Sequence, residues 1–233
     1  MNRKTLLCFT TFNKLEVTRE CMEYACELGY DILVIDDCST DGTQAYLTSI
    51  GVEFISKRER LGLTDSWNRA YAYFKASDYD YMVLCNNDVL IPSGAVENLI
   101  SPYPLTVPMT TNEGAGYACK AQDVRKYWPN LVSQYKGIQD IQDRLSVKYK
   151  FQRADCWTGF CMCLSRDIIE FERSDGNLFD PAKINVGNDD DLASRVEAYL
   201  SVGSFVYHYK GVSFDGRIAG RDDLGWLQNR NLG

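Results

Sequence analysis

Three short polar clusters in this 233-residue sequence carry the residue types that could do chemistry. They are Asp36–Thr43 (DDCSTDGT), Asn86–Asp88 (NND) and Asn188–Arg195 (NDDDLASR). Their carboxylate and amide oxygens suit Mg²⁺ and Mn²⁺, and Mg²⁺ usually takes only one or two protein carboxylates together with substrate phosphates. A carboxylate can also remove a proton as a general base. The clusters therefore favour a site for a divalent cation or for acid–base catalysis.

Each cluster also has a structural interpretation, because Asn, Asp and Ser are common in turns and at the first residues of helices. Ser39 or Asp41 is expected to cap the helix that follows the first cluster. Capping needs one carboxylate, and it leaves the pair Asp36-Asp37 and the triplet Asp189–Asp191 unexplained. A carboxylate of the pair could accept the imide N–H of uracil or thymine. The triplet indicates a nearby metal ion or a general base, and Asp88 is the better metal ligand of the second cluster.

Two further features carry charge that could act on a ligand. The single histidine, His208, ends an apolar run, where it could be a structural residue or a metal ligand. The basic stretch Lys57–Arg60 (KRER) is typical of a solvated loop, but because it follows a predicted strand, one of its cations could reach a phosphate. Arg195 stands four residues after Asp191, a spacing that predicts an ion pair on one helix face.

The elements that position these clusters alternate between strand and helix in the first half of the chain. Short apolar runs predict buried strands, and apolar residues at helical spacing predict helices between them. This alternation predicts an α/β fold with a mostly parallel central sheet covered by helices on both faces. Ligands bind such sheets at the carboxyl ends of the strands, where the polar clusters stand. The predicted strands are Lys4–Thr10, Asp31–Asp36, Val52–Ile55 and Tyr79–Cys85; the predicted helices are Leu15–Leu28, Thr43–Ile50, one capped by Thr64 or Asp65, and Ala95–Ile100.

The second half of the chain is less regular. We expect a loop at Tyr103–Gly116, helix or loop at Val124–Gln152, and a polar tail at Asp215–Gly233. No repeat or linker interrupts the sequence, so a single domain is expected, with a first half at about 1–110 and a second half at about 111–214. The remaining predicted elements are a strand at Cys156–Leu164, a helix at Asp190–Leu200 and a last strand at Ser204–Tyr209.

Composition narrows the class of protein. Lys and Arg total 25 against 32 Asp and Glu, and the net charge of −7 disfavours a nucleic-acid polymer as partner. The nine cysteines lack zinc-ligand spacing, which predicts free thiols and a cytoplasmic location. Since no apolar run approaches about 18 residues, no transmembrane segment is expected.

Taken in chain order, these clusters resemble the family 2 glycosyltransferases of the GT-A fold, and within them members from large DNA viruses of the chlorovirus type. Asp36–Thr43 is similar to the family's DDxSxDGT signature, and Asn188–Arg195 to its EDxDLxxR motif. Asn86–Asp88 stands in the place of the D-x-D metal motif. Further similar segments are Leu61–Asn68 (LGLTDSWN), Gly159-Phe160, Leu178–Asp180 and the ending His208–Ser213 (HYKGVS).

The resemblance implies transfer of a sugar, with inversion, from a nucleotide-diphosphate donor to an acceptor hydroxyl. A UDP-sugar is the first expectation for the donor, and a glycan or another hydroxyl compound for the acceptor. The resemblance assigns the general base to Asp189, with Asp191 in reserve, and a Mn²⁺ or Mg²⁺ ion to Asp88 and His208. It makes the first half of the domain (about 1–110) the nucleotide-sugar half and the second (about 111–214) the acceptor half. It assigns the nucleotide-sugar site to Thr10, Phe12, Asp36, Asp37, Arg60, Asn68, Asn86 and Asn87.

Two departures from the family pattern leave alternatives open. Asn86 replaces an acid in the metal motif, and Asn188 replaces the Glu that precedes the expected base. A binding module for a nucleotide or a sugar, without catalysis, is therefore one alternative. A sugar-phosphate nucleotidyltransferase is another, although Thr10–Asn13 lacks the Gly-rich basic loop that such an enzyme would carry after its first strand.

Overall fold

The computed structural model describes residues 3–111, 120–128, 137–147 and 150–209. Its strands and helices alternate through the first hundred residues, as the apolar pattern predicts. The strands are β1 (Thr5–Thr11), β2 (Asp31–Asp36), β3 (Glu53–Ser56), β4 (Tyr81–Asn86), β5 (Val89–Leu90), β6 (Leu105–Met109), β7 (Phe151–Ala154), β8 (Cys161–Ser165), β9 (Ala198–Phe205) and β10 (Tyr207–His208). The α-helices are α1 (Leu15–Glu27), α2 (Thr43–Ser49), α3 (Leu63–Ala76), α4 (Ala95–Leu99), α5 (Val124–Tyr127), α6 (Ile138–Ser146) and α7 (Asn188–Ala193); two 3₁₀ helices span Lys120–Gln122 and Arg166–Phe171.

Eight of these strands form one central sheet in the order β3-β2-β1-β4-β8-β6-β9-β7. The pairs β2–β3, β1–β2, β1–β4 and β6–β9 are parallel, while β8 runs antiparallel to both of its neighbours and β7 is antiparallel to β9. The short strands β5 and β10 form a separate antiparallel pair. The predicted α/β class with a mostly parallel sheet is confirmed, and the antiparallel strands lie in its second half.

Alternate residues of a strand point to opposite faces of the sheet, and helices cover both of these faces. On β1, Leu6 and Cys8 pack in the same hydrophobic cluster as α3, whereas Leu7 and Phe9 pack in the cluster that contains α1 and α2. In the first half of the chain, the strands and helices begin and end within two residues of their predicted bounds. Among the described helices, none combines the length and the apolar character that a membrane crossing requires.

Some predictions about the elements were wrong. The expected loop at Tyr103–Gly116 contains β6, whose parallel pairing with β9 shifts register between Pro108 and Met109, where the strand must accommodate a proline. The expected helix at Asp190–Leu200 ends at Ala193, and Ala198–Leu200 instead begins β9, because both β6 and β7 pair with it. These partners are far away in the sequence.

Other elements are shorter than predicted. Of Cys156–Leu164, only the part from Cys161 onward is strand, and Val124–Gln152 contains α5, α6 and the start of β7. The N-cap residues of α2 and α3 are Gly42 and Gly62, so Ser39, Thr64 and Asp65 do not have the expected capping role. Asp41 precedes the N-cap of α2 and accepts from the Thr43 N–H at 3.2 Å, at the first residue of that helix. The predicted tail Asp215–Gly233, and the end of His208–Ser213, lie outside the described residues.

Candidate active site

A cleft lies at the carboxyl ends of β1, β2 and β4. This is the edge at which the sequence predicts a ligand site. Six of the residues expected to bind a nucleotide sugar line the cleft: Thr10, Phe12, Asp37, Arg60, Asn86 and Asn87. The other lining residues are Thr11, Leu63, Ser66 and Asn185.

Hydrogen bonds between the loops that follow β1 and β2 form one wall of this edge. The Asn13 backbone N–H donates to Ser39 Oγ at 2.7 Å, and Asn13 Oδ1 accepts from the Thr40 N–H at 2.8 Å. Asp41 Oδ2 accepts from the Leu15 N–H at 2.9 Å and so joins the second loop to the start of α1. Asn13 and Cys38 adopt positive φ angles of 54° and 68°, which a non-glycine residue adopts only when its surroundings impose them. The wall is therefore held in place before any ligand binds.

Arg60 lies over the ring of Phe12, with its Cζ 4.0 Å from the ring centroid. Both residues line the cleft, and Arg60 is an exposed residue that forms no ion pair within the described part of the chain. A guanidinium on an aromatic face keeps its N–H donors available at its edge. The pair thus offers a planar surface and a positive charge to an anionic ligand.

The two adjacent carboxylates of the first cluster have different surroundings. Asp36 is completely buried and accepts hydrogen bonds from the Ser39 N–H, from Gln44 Nε2 and from Ser56 Oγ. It does not line the cleft, and this placement supports a structural role for it. Asp37 lines the cleft, although its oxygens already accept from other groups of the protein.

Those groups hold the loop that carries Arg60. Asp37 accepts hydrogen bonds from the backbone N–H of Leu61 at 2.8 Å and of Gly62 at 2.9 Å. The buried ammonium of Lys57 lies 2.6 Å from Asp37 Oδ1 and 3.1 Å from Asp65 Oδ2, and it donates to the Gly62 carbonyl at 3.0 Å. The sequence interpretation of Lys57–Arg60 as a solvated loop is wrong for Lys57. The one feature of the sequence that indicated a buried Lys57 was its position just after the predicted third strand.

Asn68 is placed outside the cleft. Its side chain donates to the Phe179 carbonyl at 2.9 Å and accepts from the Phe179 N–H at 3.0 Å, so it holds a segment that lies 111 residues further along the chain. Asn185, which sequence reasoning missed, reaches the cleft from that later part of the chain. Its Oδ1 accepts from the Leu63 N–H at 3.1 Å. No local pattern marks such a residue.

The second cluster contains two buried oxygens that have no hydrogen-bond donor among the described residues, Asn86 Oδ1 and Asp88 Oδ1. His208 Nε2 lies 3.3 Å from Asp88 Oδ1, without the alignment of a hydrogen bond, and the imidazole stacks on Phe160. β10 positions His208 opposite Val89 of β5. Asn87 instead donates to the hydroxyls of Thr11 and Thr18.

Oxygen atoms buried without a partner cost free energy, and a bound cation would remove that cost. The two oxygens are ligands that suit Mn²⁺ or Mg²⁺, and the imidazole would add a nitrogen ligand of the kind that transition metals accept. Within the described ranges, no three His, Cys, Asp or Glu residues are grouped closely enough to hold a metal. The remaining ligands of an ion here would therefore be substrate oxygens or water.

The third cluster begins α7, close to the cleft. Asn188 donates to Thr64 Oγ1 at 3.2 Å, and Thr64 follows Leu63, which lines the cleft. Asp189 Oδ2 accepts from the Gly159 N–H at 3.1 Å. Burial raises the pKa of the Asp189 carboxyl above its ordinary value, although the bond from Gly159 opposes this. Asp189 is thus a more basic carboxylate than an exposed aspartate.

Asp191 has a different environment from Asp189. It lies 2.8 Å from Arg195, as the spacing predicts, and 3.1 Å from Arg173. Arg195 also donates to the carbonyls of Phe171 and Leu178. Two guanidinium groups contact the Asp191 carboxylate, and this pairing supports a structural role for it.

The fold and this cleft define an α/β protein with its ligand site at the carboxyl edge of a central sheet. Residues 7–168, more than half of the chain, match the model of the family described as Glycosyl transferase family 2, and the chain belongs to that family. The resemblance of the sequence motifs to the family 2 glycosyltransferases is thereby confirmed. Curated protein sequences give no match to this chain.

Several solved glycosyltransferase structures share the fold at low sequence identity. GalNAc-T7 with UDP, GalNAc and Mn²⁺ superposes with a TM-score of 0.63 at 16% identity, over 88% of this chain and 44% of its own. The mannosyltransferase PcManGT from Pyrobaculum calidifontis, in complex with GDP-Man and Mn²⁺, superposes with a TM-score of 0.59 at 16% identity, over 89% of this chain and 57% of its own. Glucosyl-3-phosphoglycerate synthase from Mycobacterium tuberculosis, with Mn²⁺, UDP and glucosyl-3-phosphoglycerate, superposes with a TM-score of 0.51 at 15% identity, over 88% of this chain and 69% of its own. This chain thus spans about half the length of the first two.

Proposed function

We propose that this chain is an inverting, divalent-metal-dependent glycosyltransferase that moves a sugar from a nucleotide-diphosphate donor to an acceptor hydroxyl. One observation carries the proposal: the cleft at the carboxyl edge brings together six of the expected donor-binding residues. Asn188, which precedes the proposed base, donates to Thr64, the neighbour of the lining residue Leu63. Family membership supports the same activity. The eight-stranded sheet takes strands from both halves of the chain, which supports a single domain.

The donor is proposed to bind with its base and ribose near Phe12 and Asp37 and with its diphosphate toward Arg60 and Asn86. Arg60 is the exposed cation in this cleft and would pair with phosphate oxygens. A UDP-sugar is the first proposal, because two of the three structures described above hold UDP, while PcManGT holds GDP-Man.

Asp88 and His208, with the side-chain oxygen of Asn86, would hold Mn²⁺ or Mg²⁺. Such an ion, when bound, offsets the negative charge that develops on the departing diphosphate. The unpartnered oxygens of Asn86 and Asp88 support this assignment. The replacement of an acid by Asn86 lowers the negative charge of the protein ligands, and phosphate oxygens of the donor would supply the balance.

The proposed reaction is a single displacement at the anomeric carbon. The acceptor oxygen forms a bond to that carbon on the face opposite the donor phosphate. The bond from the carbon to the phosphate oxygen breaks, and its electron pair leaves with the nucleoside diphosphate. The acceptor proton passes to the Asp189 carboxylate, whose raised pKa favours accepting it. One displacement inverts the configuration at the carbon.

Two measurements test this proposal. The first is a thermal-shift panel of UDP-, GDP- and dTDP-sugars, each with Mn²⁺ and with EDTA. One nucleotide class at a hundredfold excess over its Kd should stabilise the protein by about 2.7 kcal/mol, and only with Mn²⁺. The second is NMR of the product formed from that donor, which should have the opposite anomeric configuration. Binding without any transfer or donor hydrolysis would favour the non-catalytic module, and retention of configuration would exclude the single displacement.

A further inference from the structure

Three exposed apolar residues belong to two segments that pack against each other beside the cleft. The large hydrophobic residues that are exposed in the described part of the chain are Ile50, Leu61, Val147, Ile184 and Val186. Three of them, Leu61, Ile184 and Val186, belong to two adjoining segments and are exposed by 39%, 60% and 73%. We call these three residues the apolar rim. Exposed apolar side chains that cluster in this way usually mark a binding surface.

The rim is held rigidly in place. The backbone N–H of Thr64 donates to the Ile184 carbonyl at 3.1 Å, and the Leu63 N–H donates to Asn185. Gly62, with a φ of 88°, lies so close that a Cβ atom there would be 2.6 Å from Ile184 Cγ2. Two segments more than 100 residues apart in the sequence are therefore packed backbone against backbone. Their apolar side chains are exposed although the segments that carry them are well fixed.

The two segments that carry the rim adjoin the donor cleft, and one of them leads into the helix turn that carries the proposed base. Asn185, which separates Ile184 from Val186, lines the cleft. Three residues beyond Val186 is Asp189, the proposed base, on the first turn of α7. On the other segment, Arg60 and Leu63 line the cleft on either side of Leu61 and Gly62. The rim therefore belongs to the segments that adjoin the donor cleft and lead to Asp189, where an acceptor would approach a bound donor.

We propose that the acceptor carries an apolar group, an alkyl chain or an aromatic ring, next to its reacting hydroxyl, and that this group packs on Leu61, Ile184 and Val186. This inference rests on the proposed function, because only the acceptor of a transfer reaction occupies this place. The rim contributes apolar area without hydrogen-bond donors or acceptors of its own, so it distinguishes acceptors by their apolar group rather than by their hydroxyl pattern.

The test compares acceptors that differ only in their apolar group. Methyl and hexyl glycosides of each sugar in a panel are used as acceptors with the donor found by thermal shift. The wild-type KM for the hexyl glycoside should be at least about tenfold lower than for the methyl glycoside, which corresponds to about 1.4 kcal/mol. In the double variant Ile184→Ser/Val186→Ser, this ratio should fall to about one. Val147→Ser, which changes an exposed valine far from the rim in sequence, should keep the wild-type ratio.

Calorimetric titration of the same two glycosides into protein with UDP and Mn²⁺ measures the ratio without turnover. The single variant Val186→Ser, which alters the most exposed of the three residues, provides the same comparison if the double variant is unstable. Equal affinity of the wild type for both glycosides overturns the rim proposal. If transfer to methyl glycosides is still observed in that case, only the rim proposal fails and the proposed function is kept. A variant that binds phosphatidylcholine vesicles less well than the wild type but keeps the hexyl preference would assign the rim to a membrane and overturn the proposal.

Discussion

Replacing Lys57 with Met tests whether its buried ion pair with Asp37 stabilises the protein and the loop that carries Arg60. The Lys57 side chain has no exposed surface, and its ammonium contacts two carboxylates and one carbonyl: Asp37 at 2.6 Å, Asp65 at 3.1 Å and Gly62 O at 3.0 Å. Methionine keeps the length and the apolar part of the side chain but removes the charge. The variant Lys57→Met therefore leaves the Asp37 carboxylate buried without its cation.

The expected loss is large because both partners are shielded from water. Asp37 is 7% exposed at its side chain, and removing one member of a buried ion pair typically costs about 3–5 kcal/mol. Folded proteins of this size are stable by only about 5–15 kcal/mol. For a chain of about 230 residues, the loss corresponds to a fall in Tm of roughly 6–20 °C. Nucleotide affinity should also fall, because Asp37 holds the loop that carries Arg60.

Urea unfolding followed by circular dichroism measures the loss, and an unchanged m-value would show that the change is in stability. Arg69→Met is the matched control: Arg69 also pairs with Asp65, but it is 44% exposed, so its loss should stay below about 1 kcal/mol. Lys57→Met/Asp37→Asn removes both charges and should recover part of the stability. A loss below about 1 kcal/mol for Lys57→Met would refute the reasoning.

Three other substitutions have defined outcomes. Gly62→Ala should lower the free energy of unfolding in urea by about 1–3 kcal/mol, because φ is 88° and the added carbon meets Ile184. The control Gly51→Ala, at φ 70° with nothing within 4 Å, should cost less. Equal losses in the two variants would contradict the close contact at Gly62. Asn68→Ala should cost about 2–3 kcal/mol, since two backbone groups lose their partner, and a loss below about 0.5 kcal/mol would contradict that. His208→Ala should raise the Mn²⁺ concentration for half-maximal transfer at least about tenfold, and an unchanged requirement would remove His208 from the metal site.

The first half of the fold was predictable because its signals are local. Each strand there is a short apolar run, and the intervening helices repeat their apolar residues at helical spacing, so boundaries such as Asp31–Asp36 agree. The carboxyl ends of parallel strands meet at one edge, which placed Thr10, Asp37 and Asn86 together. This part of the cleft follows from the order of the strands alone.

The remainder depends on contacts between distant residues. β8 enters the sheet between β4 and β6 as an antiparallel strand, and no local pattern specifies that order. The same is true of single side chains: Asn68 contacts Phe179, and Asn185 contacts Leu63 across more than 100 residues. The sequence predicts the pair of Asp191 with Arg195 but leaves both Asp189 and Asp191 as candidates for the base. Their surroundings separate them, one near Gly159 and the other between two arginines.

The rate of sugar transfer by Asp189→Asn, with Asp190→Asn as control, tests the central claim most directly. Asp190 is the exposed neighbour on the same helix turn. Loss of a general base should lower kcat by about 10²–10⁴-fold in Asp189→Asn, while UDP binding persists and Asp190→Asn stays near the wild type. The wild-type rate should fall as the pH drops through the pKa of Asp189, above the ordinary value of about 3.9, because the protonated carboxyl cannot accept the proton. An Asp189→Asn variant that transfers sugar at the wild-type rate would contradict the account.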